Sequence, residues 1–428
     1  METIFAQATA PGKAGVSVVR ISGPEAFGVS ERLCGKSVRD RVFDLVVLRD
    51  ESREVLDKAL VVGFRGPASF TGQDVVELHL HGSVAVVNAV TGFLGRQNGL
   101  RIAEPGEFTR LALENGKMDL TQVEGLADLI AAETEAQRRQ ATRVFDGVLG
   151  RRVEGWRDRL IRASALIEAT IDFADEDVPE DVTPEVSDLL QQVSSELEEV
   201  VRGVGMAERI RQGFEVAIVG PPNAGKSTLL NALAGRRAAI TSEVAGTTRD
   251  VIEVRMDLGG LAVTVLDTAG LREASDQIEQ IGIEVARERA EAADIRVFLC
   301  EDVEGLGVGF QRGDLHVFPK GDLRVQEGFS VSGLTGVGVD RLVSALSAEL
   351  SDRVPQAGLA TRERHKRCME VALSGLTEAR EFLDQGAVAY DLTAESLRHA
   401  VVSLEALIGK VDVENLLDEI FSSFCLGK

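Results

Sequence analysis

The chain is short of cysteine, of aromatic residues and of positive charge, and each shortage excludes something. Its four cysteines, Cys34, Cys300, Cys368 and Cys425, stand alone with no C-x-x-C pair. That spacing argues against a disulfide framework or a zinc site and fits a reducing cytoplasm. Aromatics at 4% leave little material for base-stacking platforms. Lys and Arg number 47 against 69 Asp and Glu, a formal charge of −22. Broad, non-specific nucleic-acid binding needs the opposite field. A nucleic-acid substrate held by a local basic patch or by a basic partner stays open. No apolar run is long enough to span a bilayer, and the opening "METIFAQATA" lacks a basic region followed by an apolar core. Neither a membrane span nor a secretory signal is expected, and the location read from this is cytoplasmic.

What is present is apolar material at 44% over 428 residues, enough for two to four domains. The stretch to about Gly116 is rich in Gly and Val. In "VVELHLH", Glu77, His79 and His81 alternate with Val76, Leu78 and Leu80, the two-residue period of a half-buried strand. Helical composition follows, with Leu160, Ala163, Leu166 and Ile167 on one face. The texture changes at Gly213, where "FEVAIVG" reads as a buried strand and α/β alternation runs to roughly Leu350. Helix returns after Pro355, with Leu397, Ala400, Val401, Leu404 and Leu407 at helical spacing and Gly409 as its stop. The expected division is 1–116, 117–212, 213–352 and 353–428. It is a multidomain α/β and α protein: a strand-rich N-terminal domain, then a split helical bundle interrupted by an α/β domain of the P-loop type.

"GPPNAGKST", Gly220 to Thr228, matches G-x-x-x-x-G-K-[ST] between a strand and a helix. In that context backbone N–H groups converge on phosphate, Lys226 reaches the β- and γ-phosphates, and Ser227 ligates Mg²⁺. Asn223, Ala224, Gly225 and Thr228 complete the loop. "AGTTRD" supplies a switch loop in which Thr248 is expected at Mg²⁺ and the γ-phosphate. "DTAG" places Asp267 to hold a water of the metal and Gly270 to sense the γ-phosphate, with Thr268 structural and Ala269 between them. Leu271 stands where many GTPases carry a water-orienting Gln. The base motif N-K-x-D reads "PKGD" here. Asp322 accepts from the guanine edge and Lys320 lies over the base, but Pro319 has no side-chain amide and no N–H. Ser332, Gly333 and Leu334 take the positions of an S-A-K loop. GTP is the expected ligand.

These motifs, with "ATAPGKAGVSVVRISG", "NGKMDLTQVEGLADLI", "DTAGLREASDQIEQIGIE" and "IFSSFCLGK", give the whole chain a close resemblance to the MnmE (TrmE) family of bacterial tRNA-modification GTPases. The resemblance implies a folate-binding, dimerising N-terminal domain and a homodimer. It implies a heterotetramer with the FAD-dependent MnmG (GidA) protein. It further implies GTP-dependent addition of a carboxymethylaminomethyl or aminomethyl group at C5 of the wobble uridine of tRNA. The one-carbon unit would come from 5-formyl- or 5,10-methylene-tetrahydrofolate. By matching motif, Arg20, Glu77, Lys117 and Lys428 would hold the folate. Asn223 would mark a K⁺-dependent GTPase, with Ser242, Val244 and Thr247 completing the cation site. That loop runs through Glu243, Ala245 and Gly246 and lies at the nucleotide. Glu279 would orient water in place of the missing Gln. K⁺ would stand where other GTPases use an arginine finger.

Each of these residues has an ordinary reading. Arg20, Glu77, Lys117 and Glu279 taken singly are surface residues of strands and helices. His79 and His81 lack a third ligand and read as structural or solvent-facing. The cluster "RERHKR" around His365 serves equally as a contact for tRNA phosphate or as a balance for acids. "DFADEDVPED" reads as a solvated loop. The tail "FCLGK" is a poor C-a-a-X box, because Gly427 is not aliphatic and Lys428 is a poor last residue. An apolar face of Leu416, Leu417, Ile420 and Phe421, extended by Phe424, is expected to dock the last helix into the bundle. Cys425 would then act as a nucleophile on the uridine ring or shape the pocket. The competing function is a switch-type GTPase acting in ribosome or RNA assembly. A nucleotide kinase is disfavoured by "DTAG" and "AGTTRD".

Overall fold

A computed structural model of the chain describes residues 2–172, 181–236, 239–240, 253–267, 284, 287–323, 328–411, 420–421, 424 and 427. They form two compact units, one of residues 1–127 with 405–428, the other of 128–404. The cut therefore groups 405–428 with the N-terminal residues, whereas the sequence division runs 353–428 together.

The first unit is built on a six-stranded sheet of β1 (Thr3–Gln7), β2 (Val16–Ser22), β3 (Asp44–Arg49), β4 (Val55–Phe64), β5 (Val75–His81) and β6 (Leu100–Ile102), in the order β3-β4-β5-β2-β1-β6. All pairings are antiparallel except β1 with β6. The alternation in β5 places Val76, Leu78 and Leu80 in the core, each at most 1% exposed. They pack with Leu33 of α1 (Ala26–Cys34) and with Val90 and Leu94 of α2 (Val84–Gly95). The opposite face is left to Glu77 and His79. Fully burying such aliphatic side chains contributes roughly 1.5–3 kcal/mol each. α3 (Glu107–Glu114) and the start of α4 (Leu120–Ala131) complete this unit. Phe421 and Phe424, 2% and 8% exposed, pack with Val123 of α4, and Leu113 and Met118 lie against them. Leu416 and Leu417 lie outside the described residues.

The second unit holds α5 (Glu135–Phe145), α6 (Val148–Asp172) and α7 (Thr183–Gln212). Leu160, Ala163 and Ile167 are fully buried and Leu166 is half-buried, as helical periodicity predicts. After α7 a single residue, Gly213, leads into the second sheet. Its strands are β7 (Phe214–Val219), β8 (Glu253–Leu258), β9 (Leu261–Asp267), β10 (Ile295–Leu299), β11 (Leu315–Pro319) and β12 (Ser330–Val331), ordered β12-β11-β10-β7-β9-β8. Only β8 pairs antiparallel. Helices α8 (Lys226–Ala234) and α9 (Val339–Ser351) lie on one face, burying Leu229, Leu230, Leu342 and Leu346. No helix forms between β10 and β11. The connecting loop is instead secured by Arg296 and Asp314, a nearly fully buried ion pair at 2.9 Å. The chain then returns to the bundle, where Gly358 N donates to Gly203 O of α7 at 2.9 Å. α10 (Glu363–Leu383) and α11 (Tyr390–Leu407) finish it, with Leu397, Ala400, Leu404 and Leu407 fully buried. Val401 is half-buried, and Gly409 follows the end of α11 at φ 80°.

Candidate functional site: a phosphate loop and a base cleft

β7 runs straight at the first turn of α8, so the loop Gly220–Gly225 delivers backbone to the positive end of a helix. Asn223 takes φ 61° within this loop. Lys226 is 7% exposed, and its ammonium donates to Gly220 O at 2.9 Å and to Pro221 O at 3.1 Å. Ser227 Oγ donates to Asp267 Oδ2 at 2.5 Å. These two residues are 40 apart in the chain; the parallel β7–β9 pairing, which sets Ile218 beside Asp267, brings them together. Asp267 is 2% exposed, and its Oδ1 is buried with no hydrogen-bond partner among the described residues. A carboxylate oxygen left bare costs more than one that is bonded. A hydroxyl and a carboxylate with a spare lone pair form a hard-oxygen set of the kind Mg²⁺ takes together with phosphate and water.

Beside this loop a cleft of about 280 Å³ is lined by Asn223, Ala224, Gly225, Thr228, Leu229, Leu299, Lys320, Asp322, Leu323, Val331, Ser332, Gly333 and Leu334. Phosphate-loop and base-motif residues, about a hundred apart in the chain, thus share one wall-to-wall space. Gly333 can only be glycine: an added Cβ would stand 2.5 Å from Leu229 N and 2.6 Å from Thr228 C. That contact ties the S-A-K-like loop to α8. Lys320 adopts φ 57° at the strand end. Pro319, the last residue of β11, needs no N–H of its own. The donors on either side serve the pairing, Phe318 N to Phe329 O at 2.7 Å and Gly321 N to Val331 O at 3.1 Å. The apolar walls at Leu299, Leu323 and Val331 were not foreseen from sequence. Leu299 closes a buried strand and Leu323 follows the base motif, and only the fold turns them to the same space.

Several expected site residues lie outside the described residues: Ser242, Glu243, Val244, Ala245, Gly246, Thr247, Thr248, Thr268, Ala269, Gly270, Leu271, Glu279, Cys425 and Lys428.

In the first unit Arg20 and Glu77 face each other across the β2–β5 register, with Arg20 Nε donating to Glu77 Oε1 at 2.9 Å. The Arg20 guanidinium also lies 5.1 Å from the Phe70 ring and 5.6 Å from the Phe108 ring. His79 Nε2 is 3.4 Å from Glu77 Oε2, and His81 Nδ1 is 2.7 Å from Asp57 Oδ1. Lys117 sits by the 70–72 loop, where its Cε is 3.2 Å from the position a Cβ on Gly72 would take. Asn115 donates to Thr71 O of the same loop at 2.7 Å. Gly427 is buried, at φ 92°, so close to Gln7 that an added Cβ would stand 2.1 Å from its carbonyl oxygen. The tail is therefore seated on the end of β1 rather than frayed at that residue. The aromatic neighbours Phe70 and Phe108 are invisible to motif reading, because tertiary folding alone brings them to Arg20.

His365 is fully buried, and Thr361 N donates to its Nδ1 at 3.3 Å. It cannot present itself to phosphate as a member of an exposed basic cluster. Lys366 pairs with Glu363 and Glu370, and Arg362 with Asp128 at 2.7 Å. The balancing of acids is the role these contacts show.

A strand–loop–helix around a buried lysine, an acid on the neighbouring strand and a base-sized cleft define the P-loop nucleotide-hydrolase class. Two family models match the chain, MnmE helical domain over residues 120–425 and GTP-binding protein TrmE N-terminus over residues 3–117. The tRNA modification GTPase MnmE of Ruegeria pomeroyi is 60% identical over 428 residues, 100% of both chains. That of Roseobacter denitrificans is also 60% identical over 100% of both. A solved structure, Aquifex aeolicus Era bound to GDP.AlF4-, shares 25% identity over 38% of this chain and 66% of that one, with a TM-score of 0.25, and nothing is rested on it. The chain belongs to the MnmE (TrmE) family, and it is a GTPase. No helix among the described residues is long and apolar enough to cross a membrane.

Proposed function

We propose that this protein hydrolyses GTP to drive modification of the wobble uridine of tRNA. The observation that carries the hydrolytic half is the meeting of Ser227 and Asp267 beside a cleft lined by Lys320 and Asp322. The name of its 60%-identical relatives supports the tRNA half. Mg²⁺, bound through Ser227 and the water held by Asp267, would neutralise charge on the phosphates. Lys226 would leave the carbonyls of Gly220 and Pro221 for the β- and γ-phosphate oxygens. Asp322 would accept from the guanine edge, while Lys320 covers the base. Thr248, Gly270 and the loop of Ser242–Thr247 would close on the γ-phosphate, and Glu279 would orient the attacking water. Asn223 with that loop would hold K⁺. Turnover should then be fast in K⁺ and slow in Na⁺ at matched ionic strength, and equal rates would remove the K⁺ part of the reading.

The chemistry on tRNA is assigned to the first unit. Arg20 and Glu77 are locked to each other on a sheet face flanked by two phenylalanine rings, with Lys117 by the neighbouring loop. A guanidinium, a carboxylate and aromatic faces suit a pterin ring and a glutamate tail. Folate would bring the one-carbon unit there. Cys425 and Lys428, beside the seated Gly427, would meet the same site. The protein would work as a homodimer, in a heterotetramer with the FAD-dependent MnmG protein, in the cytoplasm. The four-part division at 116, 212 and 352 stands as the corresponding proposal for its domains. Mass spectrometry of wobble-uridine nucleosides in cells lacking the protein tests the whole. Loss of a C5-substituted uridine is expected. An unchanged nucleoside profile would leave a GTPase that acts in ribosome or RNA assembly instead.

A further inference from the structure

Residues 135–162 carry eight arginines, no lysine and four acids in a chain whose formal charge is −22. The fold divides these arginines into two groups. On α6, Arg152 and Arg159 reach Glu196, and Arg162 reaches Glu185, so this face is neutralised by carboxylates of α7. On α5, Arg138 and Arg139 share one carboxylate, Glu135, at 2.8 and 2.7 Å. Arg143 has no carboxylate partner among the described residues, and Arg151 donates to the Asp146 carbonyl at 2.7 Å. Arg139 is 73% exposed. It lies four residues before Arg143, on the same face of α5, and such like-charged pairs weaken a helix unless an anion sits between them.

Both side chains border a cleft of about 450 Å³. Its floor is Ala136 and Ile210, and its far wall is the β8–β9 turn at Gly259 and Gly260 together with Pro355 and Gly358. Ala136 N donates to Gly260 O at 3.0 Å, which fixes floor to wall. A polyanion repelled by the protein as a whole will settle where local charge is positive, exposed and not already paired. Guanidinium groups, planar and fork-shaped, match phosphate oxygens in pairs.

We propose that the α5 rim of this cleft, Arg139 and Arg143 with Arg138 and Arg151 at its ends, is where the sugar–phosphate backbone of tRNA docks. The inference rests on the tRNA reading above. Phosphate contacts of this kind position an RNA without reading its bases. The docked backbone also lies against the β8–β9 turn, and β9 ends at Asp267 in the phosphate site.

The test compares the full chain with the double variant Arg139→Gln and Arg143→Gln. A second double variant, Arg152→Gln with Arg162→Gln, carries the same charge change on the neutralised face. Binding of unmodified tRNA is measured by fluorescence anisotropy across a series of salt concentrations, with GTP hydrolysis in the absence of tRNA as the check on folding. The α5 variant should lose about tenfold or more in affinity, and its slope of log affinity against log salt should fall by roughly one to two units. The α6 variant should keep both, and all three should hydrolyse GTP alike. If the wild type binds tRNA and the α5 variant binds equally with the same slope, the docking surface is overturned while the tRNA reading stands. Equal losses in the two variants would also overturn it, since general charge would then be the cause. If the wild type binds no tRNA, the tRNA reading fails and takes this surface with it.

Discussion

At the scale of single residues, the chemistry depends on side chains that no local rule brings together. Ser227 and Asp267 meet through parallel strand pairing, and Arg20 and Glu77 through antiparallel register. Pro319 is the residue where the chain departs most from its motif. Its missing N–H is harmless, because the flanking donors complete the strand pairing, so the loss is confined to one side-chain amide at the base. Restoring it with Pro319→Asn should tighten GTP binding by about tenfold, the worth of one hydrogen bond of 1–2 kcal/mol. Titration of a fluorescent GTP analogue checks this, and unchanged affinity would mean that backbone groups already supply the contact. Glu279→Ala should lower hydrolysis roughly a hundredfold or more with nucleotide affinity unchanged, because water positioning acts on the transition state. Single-turnover rates beside equilibrium binding separate the two effects, and an unaltered rate would return Glu279 to the helix surface.

At the scale of elements, α6 and α7 are joined by a polar cluster over their apolar seam. The fully buried Trp156 donates its indole N–H to Glu196 at 2.8 Å, and Arg159 donates to both oxygens of the same carboxylate. The bidentate Arg159 bonds, with the Trp156 bond adding to them, hold the Glu196 carboxyl down at about 2. Because the folded value lies below the unfolded one of about 4.3, the stability it contributes is present above pH 4.3. It is lost as pH falls through about 2. Wild type and Glu196→Gln should therefore differ in thermal midpoint at neutral pH and converge toward pH 2. A difference that persists unchanged at pH 2 would assign the effect to packing instead.

At the scale of the whole molecule, a hydrolytic unit and a unit with its own polar site are carried on one chain, and the tail is seated in the second of these. Phe421, Phe424 and Gly427 are buried in the first unit, the last against the backbone of Gln7. Gly427 admits no side chain there, so its neighbours in "FCLGK" are anchored on both sides. Cys425→Ser should consequently leave GTP hydrolysis normal and abolish tRNA modification, both measured on the same preparation. Full modification by the serine variant would make Cys425 a bystander on a docked tail.

The sequence by itself determined what depends on short-range pattern. Two-residue alternation identified β5 and its buried face. Helical spacing identified the cores of α6 and α11. The contiguous loop from Gly220 to Thr228 carried enough of a phosphate site to be read directly. Tertiary structure alone decided what depends on contacts between distant segments. It buried His365, which local composition had placed in an exposed basic cluster. It spread Arg152, Arg159 and Arg162 onto the acids of α7 and left Arg139 and Arg143 facing a cleft. It set Phe70 and Phe108 beside Arg20, and it grouped the tail with the N-terminal sheet rather than with the preceding helices. The physical reason is the same in each case. Local backbone preference and amphipathic period are properties of a few neighbouring residues, whereas burial, ion pairing and cavity walls are set by which surfaces the folded chain presses together.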